Sequence, residues 1–268
     1  MTTEAASTIE TVVRRDRTLV VASLLALTGL CWLYLIVLAL DMASGDMALM
    51  GTAMTEASMP WSAPTFALML LMWWIMMIGM MVPSAAPMIL LFARVHRKKL
   101  ADQNPALRTA LFSLGYIVAW AMFSLVATVA QWGFGRLALL SPMMAGTSNL
   151  FGAALFLAAG AYQLSPLKHM CLRHCRSPVT YLASHWRQGG FGAFRMGLGH
   201  GLFCVGCCWF LMGLLFFGGV MNLLWVGAIA IFVLVEKVAP RGELVARISG
   251  AIMLCFGISL LAAPYIVG

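Results

Sequence analysis

The sequence predicts an all-α membrane protein, a polytopic bundle of about seven transmembrane helices with a cytoplasmic N-terminus. Hydrophobic residues make up 62% of the 268 residues and charged residues only 10%, whereas a soluble domain carries roughly 25% charged residues. Several apolar runs are long enough to cross a bilayer as helices, and none alternates like the strand of a β-barrel. The net charge of +8 suits membrane topology rather than nucleic-acid binding, because the basic residues flank the apolar runs.

The first part of the chain predicts a tail followed by two spans. Residues 1–17 are polar and should form a mobile cytoplasmic tail, which precedes a single helical transmembrane domain over residues 18–268. The apolar run at 18–40 can cross a bilayer with some tilt, and it is too long for the hydrophobic region of a cleaved signal peptide. A second span at 66–92 contains two prolines, which should bend its helix because they interrupt backbone hydrogen bonding.

The later apolar runs predict the remaining spans. The stretch between Arg195 and Lys237 contains no Lys or Arg, and it fits two spans joined by a tight turn at Gly218-Gly219. The other runs lie at 107–132, 147–167 and 245–263.

The distribution of basic residues predicts the orientation of these spans. With the N-terminus inside, Arg136 is the only one of the 17 Lys and Arg residues that lies outside. This arrangement satisfies the positive-inside rule. It places a Met-rich segment at 41–61 outside and a His- and Cys-rich loop at 168–178 inside.

One apolar run, at 197–209, holds one His and three Cys. At about 100° per residue, His200, Cys204 and Cys207 fall on one face of a helix, and Cys208 lies at the edge of that face. Imidazole and thiolate are soft ligands that suit Cu(I), with Zn(II) as an alternative. Polar donors at membrane depth are candidate functional residues. We interpret this helix as half of an intramembrane metal site.

Two further features bear on that interpretation. Gly197 and Gly201 are four residues apart, a spacing that lets a second helix come close. The alternative for His200 is a core histidine that is hydrogen-bonded to a neighbouring carbonyl.

Methionine is concentrated in residues 42–88 of a chain that contains 21 Met. In the second span, Met72, Met76 and Met80 share one helical stripe. These thioethers could contact Cu(I), or they could be flexible fillers of the core. The segment 41–61 holds five more Met and could gather Cu(I) outside the membrane, or it could lie on the bilayer surface as an amphipathic segment.

The basic loop at 168–178 contains a dense set of soft donors, His169, Cys171, His174 and Cys175. The loop lacks the paired Cys-x-x-Cys spacing of a zinc ribbon, although Cys171 and Cys175 could share a helical face. We interpret it as a metal acceptor or exit site; the alternative is a basic anchor whose cysteines are incidental. The seven Cys of the chain do not predict disulfides.

Three motifs together resemble a known family. They are Trp-Trp-Ile-Met-Met-Ile-Gly-Met-Met-Val-Pro-Ser from Trp73, Ser-Pro-Leu-Lys-His-Met-Cys-Leu-Arg-His-Cys-Arg-Ser-Pro from Ser165, and the helix with His200, Cys204, Cys207 and Cys208. The combination resembles the bacterial predicted metal-binding integral membrane proteins, a family whose members include proteins regarded as copper suppliers of tyrosinase-like enzymes. The resemblance implies a multi-pass protein of the bacterial inner membrane that binds copper and has a cuproenzyme as partner.

The function expected from these patterns is copper handling at the bilayer. Met, His and Cys ligands would bind Cu(I), and the protein would deliver it to a cuproenzyme or across the membrane. One alternative is an integral-membrane oxidoreductase, which would use haem at His200 or thiol redox chemistry at Cys204 and Cys207. Another is a membrane subunit of a larger copper enzyme. The sequence shows no P-loop, so it gives no support to a nucleotide-driven pump.

Overall fold

A computed structural model describes residues 2–44, 61–99, 105–141 and 144–266. This part of the chain is all helical and has no β-strand, with a single isolated bridge between Leu140 and Gly146. The predicted all-α class is therefore confirmed. The helices are α1 Thr2–Ser44, α2 Ala63–Lys99, α3 Pro105–Arg136, α4 Asn149–Leu164, α5 Pro166–Arg176, α6 Pro178–His185, α7 Gly189–Gly213, α8 Leu215–Gly218, α9 Leu223–Val238 and α10 Gly242–Ile266.

Five of these helices are long and apolar enough to cross a membrane, and the count becomes six if α4 and α5 form one span broken by a 65° bend. The chain reverses after α8 at Gly219, whose φ of 92° is in the left-handed region, so the predicted turn at Gly218-Gly219 is confirmed. Helix α9 has 16 residues and is about 24 Å long, which is shorter than the hydrocarbon core of about 30 Å.

Two segments outside the predicted spans are helical. Helix α1 begins at Thr2, so residues 2–17 are helical and lead into the apolar span, which begins at Thr18 as predicted. Their assignment as a cytoplasmic tail stays a prediction. These residues contain no Gly or Pro that would end a helix. The predicted loop at 168–178 is mostly helix α5, which begins where the Ser165 hydroxyl accepts from the Lys168 amide and Pro166 takes the first position.

The Met-rich segment at 41–61 lies mostly outside the described residues. Its thioethers at Met47, Met50, Met54 and Met59 therefore stay a prediction, both as a copper-gathering segment and as a surface helix.

Helix α2 continues through Pro83 and Pro87. Pro83 has no N–H to donate to the carbonyl of Gly79, one turn earlier. The indole Nε1 of Trp32 on α1 donates to that carbonyl at 3.3 Å instead. A neighbouring helix thus satisfies the acceptor that the proline leaves free, as backbone groups in a membrane require.

Helices α3 and α7 run parallel in close contact. The backbone of Phe112 lies against Gly197, and the backbone of Tyr116 lies against Gly201. A Cβ atom at Gly197 would overlap the Phe112 carbonyl oxygen. The close helix approach that the Gly197 and Gly201 spacing predicts is confirmed, and its partner is α3.

Substitution Gly197→Ala should destabilise the protein by about 2 kcal/mol, because the two backbones must move apart to admit the methyl group. The matched control is Gly133→Ala on α3, where an added Cβ would have no neighbour within 4 Å. Unfolding in mixed detergent micelles, followed by circular dichroism, would compare the two variants. If the two variants were equally stable, the backbones of α3 and α7 would not be in the close contact described at Gly197.

A buried ion pair joins α5 to α9. Lys168 Nζ lies 2.7 Å from Glu236 Oε2, and both side chains are at most 1% exposed. Gln163 on α4 donates to Glu236 Oε1 at 3.1 Å and contacts Ser249 on α10 at 2.9 Å. Four helices therefore meet at this pair, and Lys168 is a core residue rather than part of an exposed basic loop.

Candidate metal centre

The His and Cys residues of α7 are all buried. His200 is 3% exposed, Cys204 is 1% exposed, and Cys207 and Cys208 are fully buried. The thiols of Cys207 and Cys208 both donate to the backbone carbonyl of Cys204, at 3.1 and 3.0 Å. Their sulfur atoms therefore lie on the same side of the helix, next to Cys204.

Cys204 has two polar neighbours from other helices. Its Sγ is 3.1 Å from the Tyr116 hydroxyl on α3 and 2.8 Å from the Lys237 ammonium at the end of α9. Lys237 also donates to Ser84 Oγ on α2 at 3.0 Å. A buried ammonium needs polar or anionic partners, and here Cys204 and Ser84 supply them.

These neighbours are the site residues that sequence reasoning missed. In the sequence, Lys237 marks only the inner boundary of a span, Ser84 is only the last residue of the motif that begins at Trp73, and Tyr116 belongs to none of the three motifs. The signal that was available is Lys237 itself, since a charged residue directly after an apolar run can turn into the bundle instead of toward water.

Helix α5 brings two further thiols to α7. Cys175 Sγ lies 3.9 Å from Cys207 Sγ, and Cys171 Sγ packs against Gly206. The two sulfurs of Cys175 and Cys207 are therefore in contact across two helices. The prediction that Cys171 and Cys175 share a helical face is confirmed, and that face contacts α7.

The two histidines of α5 do not join these thiols. His169 lies near Glu243 and Arg247 of α10. The His174 ring stacks on Phe203 at 4.4 Å, and its Nδ1 contacts the Met170 carbonyl at 2.9 Å. The structure therefore divides the four donors that the sequence grouped in this segment.

His200 lies among aromatic rings. Its centroid is 5.9 Å from that of Tyr116 and 5.4 Å from that of Tyr181. Burial raises the pKa of Tyr181 to about 12, so the phenol stays protonated and donates to the Met196 carbonyl at 2.8 Å. His200 Nδ1 is buried and has no hydrogen-bond partner among the described residues. At Nδ1, the hydrogen bond expected of a core histidine is not made.

The methionine stripe of α2 belongs to the same core as the thiols. Met72 and Met76 are fully buried and Met80 is 2% exposed. Two contacts connect α2 to the Cys204 environment: the Tyr116 hydroxyl donates to the Met81 carbonyl at 3.0 Å, and Lys237 reaches Ser84. Direct contact between the thioethers and the His200 face stays a prediction.

Among the residues that the structure describes, no three His, Cys, Asp or Glu side chains are arranged to hold a metal ion. The thiols of Cys175, Cys204, Cys207 and Cys208, which we call the thiol cluster, are grouped around α7, and all seven cysteines of the chain are free.

The family model for the PpoB2 copper chaperones matches residues 70–260. The chain belongs to this family. The match includes the whole thiol cluster together with Tyr116 and Lys237. Membership in the PpoB2 family confirms the sequence-based assignment to a copper-chaperone family and supports a copper-related role. No curated protein and no solved structure matches the chain.

Proposed function

We propose that this PpoB2-family protein is a membrane copper chaperone that holds Cu(I) at the thiol cluster and delivers it to a cuproenzyme. The observation that supports this most directly is the approach of Cys175 on α5 to Cys207 on α7, 3.9 Å between sulfurs, in a chain of a copper-chaperone family. Cysteine sulfur is the soft ligand that Cu(I) prefers, and the buried position excludes water from the ion.

Cys175, Cys204 and Cys207 are the proposed principal ligands. Cys208 is an alternate, because its sulfur lies beside theirs on the Cys204 carbonyl. His200 lies one turn before Cys204, and its buried Nδ1 gives the centre a nitrogen donor. Met72, Met76 and Met80 bind more weakly and pass Cu(I) along α2.

Lys237 suits a chaperone, which must release its cargo. Its ammonium lies 2.8 Å from Cys204 Sγ and has the same charge as Cu(I). A cation at that distance opposes the entry of a second one and so limits the affinity of the centre. A thiol cluster without this lysine would retain copper more tightly.

The proposed setting is the bacterial inner membrane, with seven spans and a cytoplasmic N-terminus. The distribution of Lys and Arg supports this orientation, because only Arg136 would lie outside. Under this topology, α5 with Cys171 and Cys175 lies at the cytoplasmic end of the bundle. Cys171 and His169 are then proposed as residues of the route by which copper enters or leaves the thiol cluster.

The test is the metal content of detergent-purified protein by elemental mass spectrometry, with an absorption spectrum of the same sample. Wild type should contain stoichiometric copper, and the His200→Ala/Cys204→Ala/Cys207→Ala variant should lose it. Cys255→Ser is the matched control, because that thiol is exposed on α10, and it should retain copper.

Three other outcomes would contradict the proposal. Copper that persists in the triple variant would place the site elsewhere. Stoichiometric zinc in the purified wild type would show that the bound metal is zinc rather than copper. A haem Soret band without copper would favour the oxidoreductase alternative.

A further inference from the structure

A group of two thioethers and one amide lies toward the N-terminal end of α2, away from the thiol cluster. It consists of Met69, Gln131 and Met144, with Trp73 beside them. Gln131 is 4% exposed, and its Nε2 lies 2.8 Å from Met144 Sδ and 3.7 Å from Met69 Sδ. Its Oε1 accepts from Trp73 Nε1 at 2.5 Å. Two thioethers from different parts of the chain therefore meet at one buried amide.

The orientation of Gln131 follows from Trp73. An indole N–H can only donate, so the amide oxygen must face it and the amide nitrogen must face the two sulfurs. Thioether sulfur is a weak acceptor, and a buried amide would gain more from oxygen partners. The arrangement satisfies the amide poorly, but it fixes the positions of both sulfurs. Each sulfur keeps a lone pair for a further partner.

Met144 has an unfavourable backbone conformation at this position. Its φ is 56°, in the left-handed region that residues with a side chain rarely adopt. The surrounding turn is hydrogen-bonded from the Met144 amide to the Ser141 carbonyl at 2.8 Å and from the Ser141 amide to the Ala145 carbonyl at 2.8 Å. The side chain is nevertheless 7% exposed, so the turn directs the thioether into the bundle.

We propose that Met69 and Met144 form a low-affinity Cu(I) site from which copper passes to the thiol cluster. This inference rests on the proposed function, in which copper is the cargo. Two neutral thioethers suit a soft monovalent cation and do not suit hard cations such as Mg²⁺ or Ca²⁺. They bind such an ion weakly enough to exchange it, and Gln131 holds them in place.

The position of this site fits a transfer along α2. Met72, Met76 and Met80 follow Met69 at intervals of about one turn and are buried. Met81 is about 18 Å from Met69 along the helix, and its carbonyl accepts from the Tyr116 hydroxyl, which also contacts Cys204. Buried thioethers therefore line α2 from Met69 to Met80, and the Tyr116 hydroxyl joins the next residue, Met81, to Cys204.

The experiment is a titration with Ag(I), a redox-stable substitute for Cu(I), followed by NMR of [methyl-¹³C]methionine in the detergent-solubilised full chain. Met69→Leu and Met144→Leu assign the two resonances. In a Cys204→Ser/Cys207→Ser protein, both resonances should shift together and saturate. Met144→Leu should weaken the Ag(I) affinity measured at Met69 by about tenfold or more. Met122, an exposed methionine on α3, is the control whose resonance should not move.

The proposal is overturned if Met69 and Met144 do not shift while other methionines do, or if Met144→Leu leaves the affinity at Met69 unchanged. Neither result would contradict copper binding at the thiol cluster, because the copper content of wild type is measured separately. Conversely, joint shifts of Met69 and Met144 in a protein whose thiols bind no copper would support this site and contradict the proposed function.

Discussion

Substitution Cys204→Ser should weaken Cu(I) binding by about a hundredfold or more, the largest effect that we expect from a single change in the thiol cluster. Replacing a residue that only supports a metal ligand typically lowers the metal affinity 10- to 100-fold, and Cys204 is itself proposed as a ligand. Serine keeps an oxygen that can accept from Lys237, so the ammonium is not left without a partner. Competition with a chromophoric Cu(I) chelator would measure the change.

Two controls sharpen this result. Cys255→Ser removes an exposed thiol and should leave the affinity unchanged, and unfolding in mixed micelles should show that Cys204→Ser is still folded. A folded Cys204→Ser protein with the affinity of wild type would show that Cys204 is not a ligand. Cys175, Cys207 and Cys208 would then be the remaining candidates of the cluster.

Substitution Lys168→Met should lower the free energy of unfolding by about 3–5 kcal/mol, because it leaves the Glu236 carboxylate buried without its cation. The double variant Lys168→Met/Glu236→Leu should recover most of this loss, since apolar residues of similar volume can replace a buried pair. Unfolding in mixed micelles would measure both variants.

The matched control is Arg173→Met on the same helix. Arg173 pairs with Glu243 at 2.8 Å, but its side chain is 68% exposed, so the change should cost no more than about 1 kcal/mol. A similar loss in both variants would show that Lys168 and Glu236 are not more deeply buried than the surface pair. Failure of the double variant to recover would indicate that the pair has a role beyond charge compensation.

Local patterns of the sequence predicted much of the fold and part of the site. Apolar length predicted most of the helices, and the phase of an α-helix placed His200, Cys204 and Cys207 together in the core. The spacing of Gly197 and Gly201 predicted a close helix neighbour. Each of these inferences depends on residues within a few turns of one another, and such relations are fixed before the helices pack.

Relations between distant helices could not be predicted in the same way. The contact of Lys237 with Cys204 joins residues 33 positions apart, and that of Tyr116 with Cys204 joins residues 88 apart. Both depend on how helices are ordered around the bundle, which hydrophobicity alone does not specify. The helix α5 was missed as a helix because its basic residues suggested a loop, although Ser165 and Pro166 are a standard helix start.

Helix α9 ends in two neighbouring charges that serve different partners. Glu236 faces Lys168 on α5, and Lys237 faces Cys204 on α7. Consecutive helical residues point about 100° apart, so a single rotational setting of α9 satisfies both. A twist of α9 that withdrew the ammonium from the sulfur would also pull on α5, which carries Cys175. The rotation of one short helix thus couples the charge beside one thiol to the position of another.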